Sequence, residues 1–217
     1  MLFDLDGTLL DRRRSFRYFL RDQWKRFYPV VKTIDREEYI EALIELDRDG
    51  YAPREELFTG MVSQFDLPTH LAETLLIDYR AGFPSACLLF PDALQTLSSL
   101  RASGLKLGLI TNGSVPMQTS KLRCLALASA FDTILISDAE GFSKPDIQIF
   151  HLAVERLGVK PGQAVFVGDN PEVDLAGARA AGMLAIWRRD AKRSGTIDAD
   201  AVIEELADLL ALFSSRC

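Results

Sequence analysis

The sequence predicts an α/β protein in which a parallel sheet is covered by helices and an all-helical segment is inserted near the start. A short apolar run at the first residues ends in Asp4 and Asp6, as a buried strand before a sharp turn would. Apolar residues then keep helical spacing, and later helix and strand patterns alternate, which is typical of a parallel sheet. We therefore assign residues 1–13 and 84–217 to an α/β domain and residues 14–83 to a helical domain.

Composition and charge exclude several classes of protein. The chain has 217 residues, 48% of them hydrophobic and 26% charged, with a formal net charge of -6. It is long enough for one sizeable core, and its charge is wrong for a general nucleic-acid binder. No apolar run approaches the roughly 20 residues that cross a bilayer, and no signal peptide is recognisable. We expect a cytoplasmic protein that binds neither nucleic acid nor a membrane.

Cysteine and histidine are too few and too scattered to form a site. Cys87, Cys124 and Cys217 are widely spaced, with no Cys-x-x-Cys pair among them. His70 precedes a predicted helix and His151 lies inside an amphipathic run. We therefore expect reduced, structural cysteines and neither a histidine-based zinc site nor a histidine-based catalytic triad.

Four helices are predicted in the helical segment. Asp35 stands three residues before Glu38 and directly before an apolar stripe, which is a capping-box-like start signal. Because no strand pattern interrupts the helices, we expect a small bundle with its own core. The apolar stripes cover residues 16–27, 39–44, 57–65 and 71–79.

The α/β part begins with a helix that Pro91 starts and Gly104 closes, since proline suits the first helical position and glycine the residue after the last one. Apolar runs then predict strands, and amphipathic runs predict the helices between them. The C-terminal helix ends near residue 213. The strands are predicted at 105–110, 133–136, 164–167 and 184–187, the helices at 91–103, 117–127, 146–157 and 173–181, and a loop at 138–144.

Polar residues follow the predicted strands in a pattern that suggests one site. Asp4, Thr111 and Asp169 each stand at the carboxyl end of a strand, and Lys144 lies in a loop before a helix. Ligands bind at this edge in open α/β sheets. Carboxylates suit a divalent cation such as Mg²⁺, and a hydroxyl, an ammonium and backbone amides suit a phosphate group. The sequence therefore predicts a site for both.

Taken singly, each segment also fits a purely structural role. Asp4 and Asp6 are typical of an acidic turn after an edge strand, and Thr111 of a plain turn. Lys144 suits a surface position at the start of a helix, and Asp174 the positive end of a helix dipole. Only the convergence of all the segments on one edge of the sheet favours a binding site over these local explanations.

The segments resemble, in order and spacing, the four motifs of the haloacid dehalogenase-like hydrolase superfamily. The resemblance covers the whole chain and implies a Rossmann-like parallel sheet core. The inserted helices resemble the helical cap domain of the phosphoglycolate phosphatase-like members. The motifs are Asp4-Leu5-Asp6-Gly7-Thr8, Ile110-Thr111-Asn112-Gly113, Lys144-Pro145-Asp146 and Gly168-Asp169-Asn170-Pro171-Glu172-Val173-Asp174.

The resemblance implies a phosphatase that acts on small phosphorylated metabolites. Asp4 would attack phosphorus and form an aspartyl-phosphate, since an ionised carboxylate needs no separate base. Asp6 would protonate the leaving alcohol and then activate water. Thr111, Asn112 and Lys144 would hold the transferring phosphoryl group, whose charge is spread over its oxygens.

The same resemblance implies Mg²⁺ as the cofactor. The Asp4 carboxylate, the Asp6 main-chain carbonyl and Asp169 would be its ligands, and Asp174 would orient them without binding the ion. The cation would offset the repulsion between an anionic nucleophile and an anionic phosphate, which Lys144 alone is too weak to do.

Three other functions remain as alternatives. A phosphomutase shares every core motif. A 2-haloacid dehalogenase also uses an aspartate nucleophile, but a halide leaving group needs no proton, so Asp6 argues against it. A silent binding relative would be free to lose at least one of Asp4, Asp6, Lys144 and Asp169.

Two expectations concern the helical segment. Its chain crossings near residues 10–15 and 83–91 predict a mobile lid that closes over the metal site and selects the substrate. The run Arg12-Arg13-Arg14 at the first crossing would either clamp a second anion on the substrate or face solvent, and solvent exposure is the commoner fate of a charge run.

Overall fold

The structure is a computed structural model that describes residues 1–189 and 197–214. The chain divides into two compact units. One unit contains residues 1–11 and the chain from residue 89 onward, and the other contains residues 12–88. We call them the α/β unit and the helical unit.

The predicted domain boundaries, after residues 13 and 83, both lie inside the helical unit. Arg12 already belongs to the first helix and pairs with Asp47 of the same unit at 2.5 Å. At the other crossing, the main-chain N–H of Leu88 donates a hydrogen bond to the Ser15 hydroxyl at 2.8 Å. These contacts attach both crossings to the helical bundle, which local sequence patterns did not reveal.

The helical unit contains five α-helices, one more than predicted. The additional helix is a short one, because the first helix ends at Arg26 and a separate turn containing Pro29 follows. The predicted N-cap is confirmed, since the Asp35 carboxylate accepts hydrogen bonds from the main-chain N–H groups of Glu37 and Glu38. The helices are α1 (Arg12–Arg26), α2 (Tyr28–Val31), α3 (Arg36–Asp47), α4 (Arg54–Gln64) and α5 (Leu71–Gly82).

Aromatic rings form the centre of the helical unit. Tyr79 stacks on Phe83 with ring centroids 4.9 Å apart, and Phe16 and Phe19 meet both rings edge to face. All four residues are buried. Edge-to-face and stacked aromatic pairs add about 0.5–1.5 kcal/mol each beyond their buried area, so this small unit has a core of its own, as the apolar stripes predicted.

The arginine run forms ion pairs within the helical unit. Arg12 contacts both carboxylate oxygens of Asp47, at 2.5 and 2.9 Å, and Arg54 is a second partner of this buried carboxylate. Arg13 pairs with Asp49 at 2.9 Å. The pairs attach the connection between α3 and α4 to α1, so Arg12 and Arg13 have a structural role that the sequence did not suggest.

In the α/β unit, six strands of the described residues form one parallel sheet in the order β3-β2-β1-β4-β5-β6. The predicted α/β class is confirmed. Strand order reverses at the central first strand, which pairs with β2 on one side and β4 on the other. The sequence missed the last strand, which has three residues and pairs with its neighbour along Ile186 to Arg188. The strands are β1 (Leu2–Phe3), β2 (Gly108–Thr111), β3 (Thr133–Ile136), β4 (Val165–Gly168), β5 (Leu184–Arg188) and β6 (Ala201–Ile203).

The helices of the α/β unit lie near their predicted positions, with three differences. Pro91 lies before its helix, which begins at Ala93, so its predicted place at the first helical position is wrong. The predicted loop 138–144 contains part of a short helix. A π-helical turn, Pro171–Leu175, precedes the tenth helix. The helices are α6 (Ala93–Ala102), α7 (Val115–Cys124), α8 (Ser137–Glu140), α9 (Ile147–Leu157), α10 (Ala176–Ala180) and α11 (Asp208–Ser214).

Two of the three cysteines lie within the described residues. Cys87 is a buried reduced thiol and Cys124 an exposed one, while Cys217 lies outside the described residues. Within residues 1–189 and 197–214, no helix is both long and apolar enough to cross a membrane.

Because α10 packs closely on α9, we predict that adding a side chain at Gly177 destabilises the protein. An ideal Cβ on Gly177 would lie 2.6 Å from the Phe150 ring and 3.0 Å from the Pro145 Cα atom. We expect Gly177→Ala to lower the free energy of unfolding by roughly 1–3 kcal/mol, the usual cost of overpacking a core. The control is Gly162→Ala, since a Cβ there would meet no atom within 4 Å. Equal urea midpoints for the two variants would contradict the prediction.

Candidate active site

The carboxyl edge of the sheet collects the polar residues that the sequence singled out. Asp4 directly follows β1, Thr111 ends β2 and Asp169 follows β4. Because these three strands are neighbours and parallel, their carboxyl ends meet at one edge, where the order of the strands reverses. Lys144 reaches the same edge from the loop before α9.

Three carboxylates at this edge could hold a metal ion. One oxygen each from Asp4, Asp169 and Asp174 lies within 4.8 Å of the others, and Asp4 and Asp174 are buried. An all-oxygen donor set of carboxylates is the chemistry that Mg²⁺ prefers, so the residues present fit this ion. Asp174 was expected only to orient the ligands, which stays a prediction, and its place in the cluster makes it a candidate ligand as well.

The ammonium group of Lys144 lies between two of these acids. Its Nζ donates to Asp4 Oδ1 at 2.5 Å and to Asp174 Oδ1 at 2.7 Å, and it lies 5.3 Å from the centroid of the Phe166 ring. Burial lowers the pKa of Lys144, but the Asp174 and Asp4 carboxylates outweigh burial and raise it above its ordinary value. Lys144 is therefore a permanent positive charge in the site.

Burial also governs the protonation of Asp4. Removal from water raises the pKa of its carboxyl to about 7, with Lys144 acting in the opposite direction and Asp174 in the same direction. The single ammonium of Lys144 therefore offsets the desolvation of this acid only in part. A second positive charge beside Asp4 would favour its ionised form further.

The position of Asp169 depends on two other residues. Gly7 has a φ of 96°, and a Cβ there would lie 2.6 Å from Asp169 Oδ2, so only glycine allows this turn and this close approach. The indole N–H of Trp187 donates to the main-chain oxygen of Asp169 at 3.0 Å. The sequence predicted a turn at Gly7 but not the contribution of Trp187.

Asp6 lies among polar groups of α7 that the sequence did not single out. Lys121 Nζ donates to both of its carboxylate oxygens, at 2.7 and 2.8 Å. Gln118 Nε2 donates to Asp6 Oδ2 at 2.9 Å and to the Thr111 hydroxyl at 2.5 Å. The sequence did contain one indication of this, because Gln118 and Lys121 stand three positions apart on α7 and therefore share a helix face. The structure shows that both are buried.

Asn112 has a different contact from the one expected. Its side-chain oxygen accepts the main-chain N–H of Lys144 at 2.9 Å, and its amide nitrogen donates to the main-chain oxygen of the same residue, also at 2.9 Å. The Asn112 side chain therefore holds the Lys144 loop against the end of β2. A contact between Asn112 and phosphate stays a prediction, as does the predicted role of Thr111.

A family model and a known phosphatase each match most of this chain. A family model described as haloacid dehalogenase-like hydrolase matches residues 1–182. A glyceraldehyde 3-phosphate phosphatase of Methanocaldococcus jannaschii is 30% identical over 190 residues, which cover 86% of this chain and 82% of that protein.

Solved structures include both a phosphatase and a dehalogenase. A HAD phosphatase from Thermococcus onnurineus is 32% identical with a TM-score of 0.68, covering 97% of this chain and 95% of that one. A 2-haloacid dehalogenase from Pseudomonas syringae pv. Tomato DC3000 is 29% identical with a TM-score of 0.66, covering 100% and 98%. Overall similarity therefore does not separate the two reactions, and residues of the site must do so.

Proposed function

This chain belongs to the haloacid dehalogenase-like hydrolase family, and from that premise we propose that it is a Mg²⁺-dependent phosphatase of small phosphorylated metabolites that acts through an aspartyl-phosphate. The main supporting observation is the contact of Lys144 with Asp4 at 2.5 Å beside the acidic cluster of Asp4, Asp169 and Asp174. A carboxylate nucleophile, a permanent cation and a set of oxygen donors suited to Mg²⁺ are the parts that phosphoryl transfer requires.

The metal would be held by the carboxylates of Asp4, Asp169 and Asp174 together with the main-chain carbonyl of Asp6. When bound, Mg²⁺ supplies positive charge that offsets the repulsion between the nucleophile and the phosphate. Lys144 would add to this charge beside Asp4 and would donate hydrogen bonds to phosphoryl oxygens. The Thr111 hydroxyl, at the end of β2, would donate to another phosphoryl oxygen.

In the first half of the proposed reaction, a carboxylate oxygen of Asp4 attacks phosphorus and the bond from phosphorus to the ester oxygen breaks. Asp6 gives its proton to that oxygen, which leaves as an alcohol. In the second half, a water oxygen attacks phosphorus and its proton passes to Asp6. The acyl-phosphate bond breaks, and inorganic phosphate and the Asp4 carboxylate are released.

Asp6 also favours a phosphatase over a dehalogenase. A halide leaves from carbon without a proton, so a dehalogenase has no use for a second acid there. In this chain Lys121 and Gln118 hold the Asp6 carboxylate at 2.7 to 2.9 Å, and Asp6 is two positions from the proposed nucleophile in the sequence. A second carboxylate held in this way is understandable if it transfers protons.

The selection of the substrate by the helical unit stays a prediction.

The proposed function predicts metal-dependent release of inorganic phosphate. We expect hydrolysis of p-nitrophenyl phosphate near neutral pH, loss of that activity on treatment with EDTA, and its recovery when MgCl₂ is added in excess, because Lys144 alone does not balance the charge of nucleophile and phosphate. Both p-nitrophenolate and inorganic phosphate are measured. A panel of phosphorylated metabolites, including glyceraldehyde 3-phosphate, then ranks the substrates.

Two outcomes would contradict the proposal. Activity that chelation leaves unchanged would exclude the dependence on Mg²⁺. Transfer of the phosphoryl group to a second hydroxyl of a sugar phosphate, without release of inorganic phosphate, would show a phosphomutase. The matched control for contaminating phosphatases is Asp4→Asn, purified in the same way.

A further inference from the structure

A buried lysine outside the four motifs contacts the active site. Lys121 lies on α7, and its side chain is only 6% exposed. Lysines are normally solvated, and a buried ammonium is costly unless it is paired. Here it pairs with Asp6, whose side chain is 20% exposed. This buried pair indicates that Lys121 is more than a solvated surface charge.

The contacts leave the Asp6 carboxylate little freedom to rotate. Lys121 donates to both of its oxygens, at 2.7 and 2.8 Å, so rotation of the carboxylate would lose one of the two contacts. Gln118 donates to Oδ2 at 2.9 Å and also reaches the Thr111 hydroxyl. The orientation of Asp6 is thereby tied to α7 and to the end of β2.

We propose that Lys121 is a positioning residue that holds the Asp6 carboxylate in place to take a proton from the water that hydrolyses the aspartyl-phosphate. The proposal rests on the proposed function. In the step concerned, the water oxygen bonds to phosphorus, the bond between phosphorus and the Asp4 oxygen breaks, and the water proton passes to an Asp6 oxygen. The contacts of Lys121 described above go to the Asp6 carboxylate, so we expect its effect on the reaction to pass through Asp6.

The second half-reaction is the step most sensitive to this contact. The p-nitrophenolate group leaves readily without a proton, so phosphorylation of Asp4 by p-nitrophenyl phosphate needs little from Asp6. Hydrolysis of the phosphoenzyme needs a base in position. General base catalysis contributes about 10²–10⁴-fold, and a misplacement of roughly 1 Å costs about 10²-fold. We therefore expect loss of Lys121 to slow phosphoenzyme breakdown by roughly 10- to 100-fold.

The test is rapid-quench kinetics of Lys121→Met with p-nitrophenyl phosphate. We expect a stoichiometric burst of p-nitrophenolate at a rate close to wild type, then slow turnover with the phosphoenzyme accumulated. Arg123→Met, which removes an exposed charge from the same helix, is the matched control and should show no such accumulation. Lys121→Arg keeps a cation that can contact both oxygens and should restore much of the turnover.

Further variants distinguish positioning from a general loss of structure. Lys121→Gln keeps a polar side chain without the charge and should show the same burst, and it replaces the methionine variant if that one does not fold. In an Asp6→Asn background, the change at Lys121 should cause little further loss, because its effect passes through Asp6. If the losses of turnover caused by the changes at Asp6 and Lys121 multiply in the double variant, the inference is overturned. Equal slowing of both half-reactions with no burst would overturn it as well. If wild type forms no phosphoenzyme and releases no phosphate, the proposed function itself fails.

Discussion

Asp4→Asn is expected to lower phosphate release by roughly 10⁴-fold or more, the scale on which removal of a nucleophile acts in other covalent hydrolases. An amide oxygen is a far weaker nucleophile than a carboxylate, and Asp4 is the acid that Lys144 contacts at 2.5 Å. Covalent labelling of the protein by phosphate should disappear as well. Acid quenching during turnover, followed by mass spectrometry, measures the phosphoenzyme directly.

The Asp6→Asn variant tests which aspartate is the nucleophile and which one transfers protons. This variant should turn over slowly, yet it should still form phosphoenzyme from an aryl phosphate, because the good leaving group needs no proton. Labelling that survives in Asp4→Asn, or that is lost equally in both folded variants, would show that the two roles are assigned wrongly. Circular dichroism and thermal unfolding establish that each variant is folded.

Lys144→Met is expected to lower the free energy of unfolding by about 3–5 kcal/mol in the metal-free protein, the usual cost of removing one partner from a buried ion pair. Lys144 is buried and donates to Asp4 and Asp174 at 2.5 and 2.7 Å. Its removal leaves two buried carboxylates close together without the ammonium between them. Urea unfolding in the presence of EDTA measures the loss.

The same variant should lose phosphatase activity, since Lys144 is the proposed donor to the phosphoryl oxygens. Excess MgCl₂ is expected to recover part of the stability but not the activity, because a cation can restore charge balance without replacing these hydrogen bonds. Lys32→Met, which alters an exposed lysine, is the control and should leave stability nearly unchanged. A loss below about 1 kcal/mol, typical of a surface ion pair, would contradict the buried role of Lys144.

Local patterns were sufficient for most elements of the fold. The first four strands after the helical segment are apolar runs because a parallel sheet is covered on both faces, and Asp35 marks the start of α3 through a hydrogen bond to its own helix. Strand β6 was missed because its three residues are ordered by pairing with β5, a partner that the sequence does not specify. Pro91 was misplaced because proline also suits a turn before a helix.

The sequence by itself determined which residues stand at the carboxyl edge of the sheet. Asp4, Thr111 and Asp169 occupy it because each stands at or directly after the end of a strand, and this place is encoded by a few neighbouring residues. Parallel pairing then brings them together whatever the details of packing. The family resemblance added their proposed roles, and those roles await the experiments described above.

Only the tertiary structure decided which other side chains meet them. It added Asp174 to the acidic cluster, and it used the Asn112 side chain to hold the Lys144 loop. It also brought Lys121 to Asp6, 115 positions away in the chain. The physical reason is that the face a helix presents to a sheet depends on how the two pack, and spacing along the helix shows only that Gln118 and Lys121 share a face.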